Sequence, residues 1–403
     1  MSKKRLVPKR RFKGFTDDWE QRKLGEVADI VGGGTPSTNI SEYWDGNIDW
    51  YSPAEIADQI YVNSSLRKIT ERGFASCSAK LLPIGTVLFT SRAGIGKTAI
   101  LNKVGCTNQG FQSIVPHTDK LDSYFIYSRT EELKRYGETF GAGSTFVEVS
   151  GKQMSDMPLM LPKMIEEQKM IGTYFKHLDH LITLHQRKLE KAKSLKKSLL
   201  SEMFPAEGER KPKRRFLGFT GDWEQRKAKD IFESTADKGY PALPILAATQ
   251  DRGMIRRDEN SIYIFHDEKN VKGYKRVLPG QFVVHLRSFQ GGFAHSTIEG
   301  ITSPAYRVFG LSEPESHNDF FWKYVFTSKE FIRRLESVTY GIRDGRSISY
   351  DGFLMMDFTY PSRAEQNEIA ELFVHLDHLI TLHQRKLEKL QNLKKAYLNE
   401  MFI

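Results

Sequence analysis

Residues 91–98 read Ser-Arg-Ala-Gly-Ile-Gly-Lys-Thr, a glycine-rich basic stretch of the kind that can lie against phosphate. A nucleotide-binding GxxxxGK[ST] loop needs glycine at position 91, where this chain has Ser91, so nucleotide hydrolysis is set aside. Behind a strand, such a loop can instead present Ser91, Arg92 and Lys97 to backbone phosphates or a base edge, and an arginine suits bidentate contact with guanine. A solvated turn is the alternative reading. A similar run, Arg287-Ser288-Phe289-Gln290-Gly291-Gly292, recurs further on, and Gln290 carries the amide that pairs with adenine. Arg343-Asp344-Gly345-Arg346 is a third basic loop, able to offer Arg343 and Arg346 to DNA or to serve as a plain charged turn. Gly32-Gly33-Gly34-Thr35-Pro36-Ser37 offers Gly34, Thr35 and Ser37 for phosphates or bases, although a linker would have the same composition.

Catalytic chemistry is poorly supported. His177 and His180 lie three apart on a helical pattern, yet no carboxylate or cysteine completes a metal set such as HExxH. Asp156 with Glu167 and Lys169, and Asp122 with Glu132 and Lys134, have the spacing of nuclease acids. The second copy of the first set reads Glu365-Gln366-Asn367 and lacks the lysine, so a helix start explains it better. A methyltransferase would need an Asn/Asp-Pro-Pro-aromatic motif, and the chain contains no Pro-Pro. Cys77 and Cys106 are too few for a disulfide framework or a zinc site. Chemistry, if any, is expected from other proteins.

The elements that position these loops form an internal repeat. Residues 177–191 and 375–389 are the same fifteen amino acids, HLDHLITLHQRKLEK. Residues 15–23 and 219–227 differ at one position in nine. Each unit therefore has a basic lead-in, a body of about 140 residues and a long amphipathic segment closing on Glu-Met-Phe, at 202–204 and 400–402. The bodies barely resemble each other, yet both contain a Pro-Gly turn, an apolar strand and a basic loop. Expected boundaries are a lead-in at 1–23, a first body at 24–162, a long helix at 163–204, a linker and second lead-in at 205–227, a second body at 228–362 and a second helix at 363–403.

In the first long segment Ile171, Phe175, Leu178, Ile182, Leu189, Ala192, Leu195, Leu199 and Met203 alternate steps of three and four, with His185 filling the gap. The second repeats the seam through Ile369, Phe373, Leu376, Ile380, Leu387, Leu390, Leu393, Tyr397 and Met401, with His383 in the corresponding place. Ser362 and Glu365 fit a capping box at its start. A helix of some 40 residues is a rod of roughly 60 Å, which needs a partner rod. Paired antiparallel, the two copies become a ruler separating the bodies. The fold expected is α/β (α+β), with two globular bodies, an antiparallel intramolecular coiled coil and a pseudo-twofold repeat.

Composition agrees with a polyanionic partner, since 60 Lys and Arg stand against 50 Asp and Glu, a formal charge of +10. The first thirteen residues carry seven basic side chains and no signal-peptide run, and no stretch approaches the roughly 18 apolar residues of a membrane span. The expected location is the cytoplasm, with no membrane partner.

Taken together, the chain resembles the specificity subunits of type I restriction-modification enzymes. The resemblance lies in Glu167-Gln168 and Glu365-Gln366 after a proline, in Leu178-Asp179 and Leu376-Asp377 within the long segments, in the stretch from Gly33-Gly34-Thr35-Pro36-Ser37 to Tyr43-Trp44, and in Asn108-Gln109-Gly110-Phe111. It implies two variable target-recognition domains, each reading half of a bipartite duplex DNA site, and two helices that set the spacer. It implies Gln109 among the DNA-contacting residues. It also implies two methyltransferase subunits and translocating restriction subunits as partners, with S-adenosylmethionine, ATP and Mg belonging to those partners and no cofactor in this chain. The second body departs from the pattern, with Ser303-Pro304-Ala305-Tyr306 where the Asn-Gln-Gly run falls in the first.

Overall fold

Where the sequence turns from period-two to period-3.6 patterning, sheets give way to two long helices, Ile165–Glu202 and Arg363–Met401. The computed structural model describes residues 6–56, 59–92, 94–141, 148–249, 252–259, 268–284, 292–340 and 347–403. It divides into two compact units, 1–185 with 386–403, and 186–385. The divisions fall inside the long helices, so each unit holds one body, the first part of that body's helix and the last part of the other repeat's helix. Among the described residues no helix is long and apolar enough to cross a membrane.

Both units mix helix and sheet. In the first, the apolar run Val87–Phe89 has all three residues buried and forms the middle strand of a five-stranded sheet ordered Ala28–Gly32, Gln112–Pro116, Val87–Phe89, Thr98–Leu101, Tyr61–Val62. In the second, Phe282–Val284 is equally buried in a four-stranded sheet ordered Phe232–Thr235, Arg307–Leu311, Phe282–Val284, Phe293–His295. Continuous apolar, β-branched and aromatic residues suit a strand covered on both faces. Each strand is entered through a turn whose glycine is left-handed, Gly85 at φ 89° and Gly280 at φ 85°, a conformation other residues resist. The first body adds a three-stranded sheet of Arg67–Ile69, Trp44–Tyr51 and Cys106–Thr107.

The repeated residues make the same contacts in both units. Trp19 and Trp223, from the two lead-ins, are each at most 2 % exposed within their unit's core. Arg11 donates from Nε and Nη2 to both oxygens of the buried Glu167, at 2.6 and 2.8 Å. Arg215 does the same to Glu365, at 2.6 and 2.7 Å. Glu365 thus serves the lead-in and not the capping box expected of it, because a buried carboxylate gains more from a two-pronged guanidinium than from a backbone amide. Gln168 accepts from the Asp122 amide as Gln366 accepts from that of Asn318.

Further along each helix an aspartate joins a body tyrosine to a lysine of the other repeat's helix. Asp179 accepts from Tyr124 Oη at 2.9 Å and Lys394 Nζ at 2.6 Å. Asp377 accepts from Tyr324 Oη at 2.8 Å and from Lys196 Nζ. Burial and the adjacent carboxylate raise the phenol of Tyr124 and of Tyr324 far above the ordinary tyrosine value, so both remain donors. At the closing Glu-Met-Phe, Phe402 stacks on Phe175 with centroids 5.8 Å apart, and Phe204 stacks on Phe373 at 6.0 Å.

Candidate nucleic-acid interface

Three loops of the first unit meet at one end of its central strand. Residues 33–37 leave the strand Ala28–Gly32, residues 91–97 follow Val87–Phe89, and residues 108–111 precede Gln112–Pro116. The Gly34 amide donates to Thr107 O at 2.9 Å, and the Ser91 amide donates to Gly110 O at 2.8 Å. Thr35 Oγ1 donates to Gln109 Oε1, leaving the amide nitrogen of the exposed Gln109 as an outward donor. The loops approach too closely for side chains at two positions. A Cβ on Gly33 would lie 2.0 Å from Asn108 O, and one on Gly34 would lie 2.5 Å from the Ala79 amide.

Two tryptophans hold the glycine loop from beneath. Trp50 Nε1 donates to Gly34 O at 2.8 Å and Trp44 Nε1 to Ser37 O at 3.1 Å, while the rings meet edge to face at 5.1 Å. The guanidinium of Arg67 lies 3.6 Å from the Trp44 ring centroid. Asp49, 1 % exposed on the same strand as Trp50, accepts from Ser64 Oγ, Ser65 N, Ser65 Oγ and Lys68 Nζ, with Lys103 Nζ 2.9 Å from its second oxygen. Burial pushes its carboxyl up, but the hydrogen bonds from Lys103, Lys68, Ser65 and Ser64 together hold it well below the usual range. An Asp-Trp pair on a strand gives no hint of this in sequence. Only the arrival of Lys68 and Lys103 from other elements makes a buried charge tenable.

The structure therefore gathers Gly34, Thr35, Ser37, Gln109 and the Ser91 backbone into one cluster, with some roles changed. Ser91 has no exposed surface, and its amide and carbonyl bind Gly110 and Val149, so it braces the loops and its hydroxyl does not face a duplex. Gly34 is likewise buried. Thr35 is half-buried, Ser37 exposed, and Arg92 half-exposed with Nη1 4.0 Å from Glu148. Lys97 is exposed, its amide held by Thr90 Oγ1 at 2.9 Å. Arg287, Ser288, Gln290, Arg343 and Arg346 lie outside the described residues.

Of the seam residues, Phe175 and Leu178 are buried in the first unit's core and Phe373 and Leu376 in the second's. Leu189 is buried, whereas Ile182, Ile380 and Leu387 are half-buried. The acids with nuclease-like spacing are dispersed. Asp122 accepts from the Phe125 amide at a helix start, Asp156 binds Lys23, Glu132 binds Arg129 and Glu167 binds Arg11. Among the described residues no three His, Cys, Asp or Glu side chains are placed to hold a metal ion.

The fold is similar to that of the S subunit of a type I restriction-modification system from M. genitalium, which superimposes with a TM-score of 0.61 over 99 % of both chains at 13 % identity. A family model described as Type I restriction modification DNA specificity domain matches residues 16–194. The MjaIX specificity subunit of a type I restriction enzyme from Methanocaldococcus jannaschii is 35 % identical over 190 residues, 46 % of this chain and 44 % of that protein. This chain thus spans less than half of that relative. The MjaVIII specificity subunit from the same organism is 24 % identical over 405 residues, covering 95 % of this chain and 92 % of its own. Over these stretches the chain is similar to the type I restriction-modification specificity subunits.

Proposed function

We propose that this chain is a non-catalytic, sequence-specific DNA-binding subunit that reads a bipartite target and directs partner methyltransferase and restriction subunits to it. The observation that carries the reading is the pairing of an invariant frame with divergent loops. Arg11–Glu167, Tyr124–Asp179–Lys394 and Phe175–Phe402 recur as Arg215–Glu365, Tyr324–Asp377–Lys196 and Phe373–Phe204, while the loops at the strand ends share almost nothing. A frame repeated in this way suits a pseudo-twofold arrangement in which the long helices run as an antiparallel coiled coil and two equivalent partner subunits bind alike. Each body then meets its own half-site, and helix length fixes the gap. In this reading S-adenosylmethionine, ATP and Mg act in the partner subunits, and the complex works on cytoplasmic duplex DNA.

The test is a genome-wide map of methylated adenines in a methylation-free host expressing this chain with its modification subunit. A two-part motif with a fixed gap, absent without this chain, is expected. Exchange of one body changes one half-site alone, and four residues inserted in both long helices change the gap alone. No methylation from a soluble complex would overturn the reading in favour of a structural adaptor.

A further inference from the structure

The two central sheets can be laid over each other residue by residue. Ala28 pairs with Pro116 where Phe232 pairs with Leu311, so Arg307 takes the place of Gln112, and Ser303 to Tyr306 that of Asn108 to Phe111. Val277 pairs antiparallel with Gly300 where Leu82 bridges Gly105 in the same sense, so Lys275 takes the place of Lys80, and Lys238 lies across from it. The position that holds the Thr35–Gln109 cluster in the first body is thus filled by a different set of side chains in the second.

That set is cationic. Lys275 Nζ donates to Tyr306 O at 2.6 Å, and Lys238 lies opposite Lys275 across an antiparallel bridge. The exposed Arg307 pairs with Val284 across the sheet, and its guanidinium lies 5.0 Å from the Tyr350 ring centroid. Arg257 lies near enough to Tyr306 to oppose the upward push of burial on that phenol, and its Nε and Nη1 are buried with no hydrogen-bond partner. Among the described residues none of these four cations has a carboxylate within ion-pair distance. Burial, and then the charges of Arg307 and Lys238, lower the Lys275 ammonium from its ordinary value. The next residue of the strand differs, since Arg276 is paired with Glu299 and Asp237. A guanidinium left without acceptors costs free energy unless an anion completes it.

Resting on the proposed function, we infer that Lys238, Arg257, Lys275 and Arg307 form the phosphate-gripping surface of the second recognition body. Duplex backbone phosphates supply the missing acceptors, while the Tyr350 ring holds Arg307 and the Tyr306 carbonyl holds Lys275 in place. At the positions of Gln112 and Gly34 in the first body the second carries Arg307 and Lys238, so charge is added there.

The experiment uses the chain in complex with its modification subunits and measures binding to two fluorescent duplexes, the mapped target and a scrambled one, across a salt series. Arg307→Ala, Lys275→Ala and Lys238→Ala should each weaken both duplexes to a similar degree. Each should also reduce the steepness of log K against log salt by about 0.9, one phosphate contact apiece. Arg276→Ala should leave the steepness unchanged. Lys238 is exposed, so its variant keeps the test decisive even where the others fold poorly. An unaltered salt dependence in folded Lys238→Ala and Arg307→Ala complexes would overturn the inference. So would a loss confined to the mapped target, which marks base reading. Absence of selective binding by the unaltered complex would instead sink the proposed function, whatever the variants do.

Discussion

At equivalent ends of their central strands, the two bodies solve the placement of a loop in opposite ways. The first threads glycines over two tryptophans and ties three loops together with backbone bonds, an arrangement in which Gly33, Gly34 and Ser91 have almost no freedom. The second places Lys275, Arg307 and Arg257 around Tyr306 and leaves their charges without carboxylates among the described residues. Beneath both, the arginine-to-glutamate pair, the tyrosine-to-aspartate bond and the stacked phenylalanines agree to within a few tenths of an ångström. Divergence is thus confined to surfaces whose contacts are local. The frame joins lead-in, body and two helices at once, so a change at one partner strands several others.

The equivalence of the frames is most severely tested by Arg11→Ala and Arg215→Ala. Each leaves a glutamate of 1 % exposure unpaired, which costs about 3–5 kcal/mol. Equal losses are expected in denaturant titrations of the two variants, and a loss at one site alone would break the comparison. The difference between the bodies is sharpened by Trp50→Phe. It removes the donor to Gly34 O, costs about 1–3 kcal/mol, and should loosen the first half-site in the methylation map while leaving the second intact.

A smaller asymmetry concerns acid. The Asp49 carboxyl is held below its unfolded value, so its stabilising contribution is complete above about pH 4 and is lost as pH falls through that value toward the folded one. The first unit should therefore lose protection against proteolysis between about pH 4 and pH 2 more steeply than in Asp49→Asn, whose profile should be flatter. Parallel profiles for the two proteins would show that Asp49 contributes no such linkage.

Long-range order was legible wherever the sequence repeats itself. The seam from Ile171 to Met203 specifies a helix because apolar side chains at steps of three and four can meet a partner only along one face. The Pro-Gly turn and apolar run specify the buried central strands for a similar reason. The roles of Glu365 and Ser91 were not legible. A capping box and a phosphate-facing hydroxyl are both local readings; the first was displaced by Arg215, distant in the chain, and the second by the burial of Ser91 where its amide is tied to Gly110. Nor could Asp49, Trp44 and Trp50 be singled out, since their partners come from separate strands and loops.

By itself the sequence determined a duplicated chain, two long amphipathic helices, a basic balance and loops rich in glycine and basic residues, because periodicity, repetition and charge are properties of order along the chain. Tertiary structure alone decided which loops converge, which candidate side chains are buried as braces, and where cations gather without carboxylates. Those outcomes depend on residues brought together from different elements, and on the burial that decides whether a polar group must find its partner in the protein or can wait for one outside it.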